Sequence, residues 1–399
     1  MKNLNNYHLK DKNVLFRADL NVPLIDGKIS DKSRIDAIKS SIKKLIKQNN
    51  KVFLISHFGR PKGKYDKKYS LNFLIESLIQ ELEVNQIHFL DNFDNLKIKN
   101  MMNLMKKGEV CLFENIRFNT GEESNDLNFA KEISNNFDAY VNDAFSASHR
   151  EHASIVGIPN FLPSIAGINM LSEIKNINKF VDRSKKPSLA IIGGSKISTK
   201  ISLLNNLSER CDFIVVAGAM ANTFLYAKKI KVGNSLYEEN LSKEALLILE
   251  KAKNHNCEII LPVDVVCANN LNDKNNIREC DIKNIPPNQM ILDVGSKTVQ
   301  LIKEYILKSS MILWNGPLGA FEYKPFQQSS FEVANIIKKH TKLLNITTIA
   351  GGGDTISVIK MAKAESGFSY ISNAGGAFLE WLEGKESPGV LALKKNNLF

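Results

Sequence analysis

Eight arginines stand among the 53 basic residues of this chain, at positions 17, 34, 60, 117, 150, 183, 210 and 278, and five of them fall within the first 150 residues. A chain that otherwise uses lysine keeps arginine where a planar, bidentate donor is needed, the geometry that matches carboxylates and phosphates. Arg60, Arg117 and Arg150, with Asp19, Asn21 and His57, lie in polar segments that follow short apolar runs, and Arg34 opens a helical pattern after the first such segment. Several arginines and one histidine suit a small polyanion such as a phosphorylated acid. Taken singly, each arginine reads equally well as a surface residue in an ion pair contributing ~0–1 kcal/mol. The repetition over four segments favours a site.

A second group lies near the C-terminus, in I-T-T-I-A-G-G-G-D-T-I-S-V-I from Ile346 to Ile359. A β-branched run ends in three glycines, then Asp354, then Thr355 and an apolar helical pattern, which predicts a strand, a tight turn and a helix beginning near Thr355. Glycine lets backbone N–H groups approach an anion, and the helix start adds unpaired amides and a positive dipole end. Asp354 repels a bare phosphate but suits one that carries Mg²⁺, a hard cation that takes oxygen ligands. The same pattern also fits a strand-to-helix turn whose Asp caps the helix. Lys196 and Lys200, beside Gly193 and Gly194, are four residues apart and would share a helix face, either reaching phosphates or simply solvated.

The elements that must position these groups follow a repeating order. Apolar runs at Val14–Phe16, Val52–Ile55, Ile87–Leu90, Val110–Phe113 and Ala139–Val141 alternate with helical patterns. One helix from about Arg34 carries Ile35, Ile38, Ile42, Leu45 and Ile46 on one face. The second half repeats the design with runs at Leu189–Ile192, Phe213–Val216, Ile259–Val266, Met290–Leu292, Met311–Leu313 and Phe368–Ile371. Strands separated by helices predict parallel βαβ units, and in such sheets ligands sit beyond the carboxyl ends of the strands. Several loops of the second half carry glycines, as expected for backbone contact with a nucleotide. There is no G-x-x-x-x-G-K-[ST] and no G-x-G-x-x-G, which argues against a P-loop and a dinucleotide site.

At 399 residues the chain is long enough for two domains. Its five cysteines show no C-x-x-C spacing, so neither a disulfide framework nor a zinc site is expected. No apolar run is long enough to span a bilayer, and the first residues lack the apolar core of a signal peptide, so a cytoplasmic protein is expected. The net charge of +11 comes from scattered lysines without aromatic–basic interleaving, which speaks against nucleic acid as a partner.

In order along the chain, R-A-D-L-N-V-P (17–23), S-H-F-G-R-P (56–61), E-N-I-R-F (114–118), H-R (149–150), G-G-S-K-I-S-T-K (193–200), W-N-G-P-L-G-A-F-E (314–322) and G-G-G-D-T (351–355) resemble the motifs of the phosphoglycerate kinase family, essentially from end to end. The resemblance implies an α/β protein of two Rossmann-like lobes with parallel sheets, joined by a helix, with the active site in the cleft between them. The expected bounds are 1–168 for the acid-binding lobe, 169–185 for the helix and 186–388 for the nucleotide lobe, the tail 389–399 returning to the first. Asp19, Leu20, Asn21, Arg34, His57, Phe58, Gly59, Arg60, Arg117 and Arg150 would bind 3-phosphoglycerate or 1,3-bisphosphoglycerate, with Arg34 facing the transferred group. Lys196, Lys200, Gly218, Gly295, Asn315, Glu322, Gly352, Gly353, Asp354, Thr355, Gly375 and Gly376 would bind ADP or ATP. Asp354 would hold Mg²⁺, and Arg34 and Lys200 would be catalytic. A monomer acting on small molecules after lobe closure is implied.

Two places depart from the family pattern: Ala217 and Ala219 flank Gly218 where consecutive glycines are usual, and Asn373-Ala374 precedes Gly375 where Thr-Gly is more familiar. Both bear on nucleotide affinity. Three other readings stay open on the residues alone: a non-catalytic nucleotide-binding protein, a kinase for another carboxylate, and a dehydrogenase, the last lacking its fingerprint.

Overall fold

The computed structural model describes residues 1–181 and 185–398; Arg183, the end of the expected joining helix and Phe399 lie outside them. The chain divides into two compact units, Met1–Lys175 with the segment from Glu386 onward, and Asn176–Lys385.

The first unit is built on a six-stranded, all-parallel sheet. Across it the strands run Ile87–Leu90, Val110–Phe113, Lys51–Ile55, Asn13–Arg17, Ala139–Asn142 and Ser164–Ala166. The run Val52–Ile55 is buried at every residue, as a strand covered on both faces requires. The helix Ser33–Lys47 lays Ile35, Ile38, Ile42 and Leu45 on the sheet, and its one buried polar residue, Ser41, donates to the Asp143 carboxylate at 2.6 Å. The C-terminal helix Pro388–Lys395 also belongs to this unit. Past its end, Asn396 donates to the carbonyls of Pro159 (2.6 Å) and Leu162 (2.9 Å). The helix Ile168–Val181 carries the chain from this unit into the next.

The second unit holds another six-stranded parallel sheet. Its spatial order is Glu258–Ile260, Phe213–Val216, Ser188–Ile192, Met311–Asn315, Thr347–Gly351 and Tyr370–Ser372. Numbered along the chain, this is the 3-2-1-4-5-6 order of the doubly wound nucleotide-binding fold, whereas the first sheet runs 3-4-2-1-5-6. The direction of winding reverses between Ser188–Ile192 and Met311–Asn315, so a crevice opens beyond their carboxyl ends.

The apolar run at 259–266 is not one strand. It breaks at Leu261-Pro262-Val263, because proline at 262 has no N–H for a sheet ladder. Glu258–Ile260 stays in the parallel sheet, while Asp264–Ala268 pairs antiparallel with Arg278–Asp281 and Met290–Val294 in a separate three-stranded sheet. The run at Met290–Leu292 therefore belongs to this antiparallel layer. Among the described residues no helix is long and apolar enough to cross a membrane, and all five cysteines are free thiols.

Candidate functional site

In the first unit the loops that leave the strand ends at Arg17, Ile55, Phe113 and Asn142 are tied to one another by buried polar groups. Asn115 is fully buried and takes two loops in hand. Its amide nitrogen donates to the carbonyls of Phe58 (2.7 Å) and Tyr69 (2.9 Å), and its oxygen accepts from the N–H groups of Arg117 (3.1 Å) and Phe58 (3.3 Å). Asn21 accepts from the Gly59 N–H at 2.9 Å, and Ser56 accepts from the Leu20 N–H at 2.9 Å. Gly59 sits at φ +59° with the Tyr69 ring 2.4 Å from where a Cβ would stand, so only glycine fits this turn.

On this frame the basic groups converge around His57, which is buried. Burial, and then the guanidinium groups of Arg17, Arg117, Arg34 and Arg150, hold its imidazole well below the usual histidine range, so it is neutral near pH 7. Arg34, in the first turn of its helix, forms an ion pair with Asp19, whose carboxylate also accepts from Ser146. Arg117 is buried, donates to the Gly59 carbonyl at 2.7 Å and pairs with Glu123 at 3.2 Å. Arg150 is half-buried. Arg60 is exposed. Leu20 turns into the hydrophobic core, and Phe58 packs against Phe73 with ring centroids 5.2 Å apart. Neither offers a polar side-chain contact.

Arg17 opens the R-A-D-L-N-V-P segment, but the sequence alone assigned it no role in the site. It is 1% exposed, the most deeply buried cation of the cluster. Its Nε donates to Ser154 Oγ at 2.8 Å and its Nη1 to the Ala18 carbonyl, while Nη2 lies 3.3 Å from His57 Nδ1. Ser154 is held in turn by the buried Glu122 carboxylate, through its hydroxyl (2.6 Å) and its N–H (2.8 Å). The one signal in the sequence was its place at the end of an apolar strand, where a charge is costly unless partnered.

In the second unit the glycine loops meet at the crevice. Gly218 sits at φ +67° with the Gly194 carbonyl oxygen 2.6 Å from a would-be Cβ. The two loops interlock, Met220 N–H donating to the Gly194 carbonyl at 3.0 Å. Beside them is a cavity of about 380 Å³, of the size that takes a small organic ligand, lined by Gly194, Gly218, Ala219, Leu292, Glu322 and Asp354 among others. Ala219 is on its wall and Ala217 faces the core, so only one of the two alanines narrows it. Gly295 is not on the lining; it is buried against the Asp264 carboxylate, 2.4 Å from its would-be Cβ. Gly375 and Gly376 open the helix Gly376–Leu382 and are also off the lining.

The helix of the G-G-G-D-T segment begins at Gly353, earlier than Thr355. Gly352, at φ +97°, makes the turn, and the amides of Gly353 and Asp354 precede the first helical bond, from Ile356 N–H to the Gly352 carbonyl at 3.0 Å. Asp354 is exposed, whereas Thr355 is fully buried and its hydroxyl accepts from the Gly316 N–H at 2.7 Å. That bond ties the start of this helix to the loop at Gly316 and leaves the Thr355 O–H free to donate.

Lys196 and Lys200 do not share a helix face. The helix starts at Ile201 with Lys200 as its cap, and Ile197, buried between them, turns Lys196 out to solvent. Lys200 turns inward and donates to Asn315 Oδ1, and Asn315 Nδ2 donates to the Gly351 carbonyl at 2.7 Å. Burial pushes the Lys200 ammonium down to about 8, with Asp354 and Glu383 opposing the shift.

The comparisons agree with this architecture over the whole chain. The phosphoglycerate kinase family profile matches residues 4–385. A phosphoglycerate kinase of Orientia tsutsugamushi (strain Ikeda) is 46% identical over 396 residues, covering 98% of this chain and 97% of that protein. One of Chelativorans sp. (strain BNC1) is 44% identical over 390 residues, covering 97% and 98%. The solved phosphoglycerate kinase of Coxiella burnetii superposes with a TM-score of 0.88 at 36% identity over 98% of both chains. With motif order, two parallel α/β units and full-length similarity all in accord, the chain belongs to the phosphoglycerate kinase family.

Proposed function

We propose that the arginine cluster around His57 binds 3-phosphoglycerate or 1,3-bisphosphoglycerate and that the cavity beside Gly218 binds ADP or ATP. The family's reaction is the reversible transfer of a phosphoryl group from 1,3-bisphosphoglycerate to ADP, giving 3-phosphoglycerate and ATP, a step of glycolysis. Asp19 and Asn21 address the glycerate end. His57, Arg60, Arg117 and Arg150 take the phosphate that stays, and Arg34 faces the one that moves. On the nucleotide side Lys200 and the open amides of Gly353 and Asp354 take phosphates, and Glu322 takes the ribose hydroxyls. Asn315 serves by orienting Lys200.

A divalent metal fits the donor chemistry. Among the described residues no group of three or more His, Cys, Asp or Glu side chains forms a metal cage. A lone exposed carboxylate at Asp354 suits Mg²⁺ that arrives with nucleotide phosphates and keeps most of its ligands from them and from water. Held there, Mg²⁺ would neutralise phosphate charge.

The attacking oxygen, on ADP or on the acid's carboxylate, is already anionic, so no general base is needed and no covalent enzyme intermediate forms. Rate enhancement comes from alignment, worth roughly 7–11 kcal/mol, and from cations preorganised where charge develops. Neutral His57 is then a hydrogen-bonding ligand. The observation that carries this reading is the gathering of Arg34 on Asp19, Arg117 on the Gly59 carbonyl and Arg17 on a buried His57 within the tied loops of the first unit. We read the protein as a cytoplasmic monomer.

The test is ATP turnover in a dehydrogenase-coupled assay with 3-phosphoglycerate, acetate or aspartate as acceptor. Turnover with 3-phosphoglycerate alone is expected, and Arg34→Ala is expected to lower kcat by orders of magnitude. A near-normal rate for that variant would remove the role given to Arg34.

A further inference from the structure

We propose that Arg17 is a positioning residue that sets the tautomer of His57, anchored for this task by the buried Ser154–Glu122 pair. The inference rests on the reading of His57 as a substrate ligand. Arginine has five N–H donors and no acceptor. At the 3.3 Å contact between Arg17 Nη2 and His57 Nδ1, the arginine must therefore be the donor and Nδ1 the acceptor. A neutral imidazole that accepts at Nδ1 carries its proton on Nε2. His57 thus offers an N–H donor to a phosphate or hydroxyl oxygen. The other tautomer would present a lone pair and repel it.

Three features make Arg17 suited to hold this arrangement. It is almost completely buried, so water does not compete for its N–H groups. Its Nε and Nη1 are already committed to Ser154 Oγ and the Ala18 carbonyl, which fixes the guanidinium plane and aims Nη2. Ser154 cannot swing away, because its hydroxyl and N–H both bind Glu122, itself 0% exposed. The chain Glu122–Ser154–Arg17–His57 thus runs from the interior to the cluster, joining residues from four different segments. An ion pair alone would not need Ser154 as an intermediate, whereas an aiming device does.

The measurement is long-range ¹H–¹⁵N NMR of the full-length, histidine-labelled protein, with His57 assigned by loss of its signals in His57→Gln. The expected wild-type pattern is a single neutral tautomer with the proton on Nε2. In Arg17→Met and in Ser154→Ala the pattern moves toward a mixture, and Arg17→Lys recovers it in part. Michaelis constants should follow, that for 3-phosphoglycerate rising about tenfold in Arg17→Met, the size of one hydrogen bond to a charged group, with that for ATP nearly unchanged. A wild-type Nδ1–H tautomer, or an Nε2–H tautomer that survives in both Ser154→Ala and Arg17→Met, overturns the proposal. The wild-type spectrum alone can refute it, so poor folding of Arg17→Met does not protect it. The ligand reading is separately exposed: if His57→Gln binds 3-phosphoglycerate as tightly as wild type, that reading fails while the tautomer result stands.

Discussion

Lys200 and Asn315 are 115 residues apart in the chain and joined by a direct hydrogen bond, ammonium to amide oxygen, in the crevice of the second sheet. Asn315 is 2% exposed and its other end is spent on the Gly351 carbonyl, so it cannot turn away. Asn315→Ala removes both bonds and leaves two partly desolvated groups unpaired. The expected cost is ~1–3 kcal/mol in denaturant unfolding, with a fall in kcat because Lys200 is no longer aimed. A variant with wild-type kcat would show that Lys200 positions itself.

The lowered affinity of Lys200 for its proton predicts two opposite responses to alkali. As pH rises through about 8 the free enzyme loses the Lys200 charge, so kcat/KM falls. Stability moves the other way. The unfolded lysine holds its proton to about its ordinary value of 10.5, the folded one releases it near 8, and between these values the unfolded chain binds more protons. The penalty of a buried ammonium is therefore relieved, and unfolding free energy gains a rising contribution across that window. Lys200→Met should remove this contribution in a series of denaturation curves from pH 7 to pH 10, compared with wild type.

Asn115 makes four side-chain hydrogen bonds, to Phe58 twice, Tyr69 and Arg117, with no exposed surface. Asn115→Ala strands buried backbone groups of two loops. The expected loss exceeds that of a typical surface substitution, at ~1–3 kcal/mol or more, and it comes with a raised Michaelis constant for 3-phosphoglycerate. Equilibrium unfolding and steady-state kinetics of the purified variant check both.

Two glycines of the second unit should respond differently to alanine. Gly218→Ala must accommodate a positive φ and a carbonyl oxygen 2.6 Å from the new methyl, so destabilisation of ~1 kcal/mol or more is expected. A Cβ at Gly353 meets nothing within 4 Å, and stability should change by less than ~0.5 kcal/mol. Thermal unfolding of the two variants without ligand distinguishes them; equal losses would contradict the packing described.

Much of the fold was legible because it is written in local terms. Fully apolar runs such as Val52–Ile55 read as two-face-buried strands, and the 3.6-residue spacing of Ile35, Ile38, Ile42 and Leu45 read as a helix seated on them. The run at 259–266 misled because hydrophobicity does not say which sheet a strand joins, and Pro262 alone breaks the ladder. Lys196 and Lys200 misled because spacing places residues on a shared face only inside a helix, which here begins at Ile201.

The sequence by itself determined which residue types follow which strands: arginine with one histidine after those of the first half, glycine with Lys200 and Asp354 after those of the second. Side-chain type and backbone freedom are local properties, so a single chain read in order displays them. Only the tertiary structure decided which cation lies where. Arg17 is buried against His57 and Arg60 is left exposed, although both lie in motif-bearing segments at or after a strand end, because burial depends on what other strands and loops bring alongside. Asn115, Ser154, Glu122 and Asn315 find their hydrogen-bond partners in distant segments of the chain, and no spacing along the chain encodes that meeting.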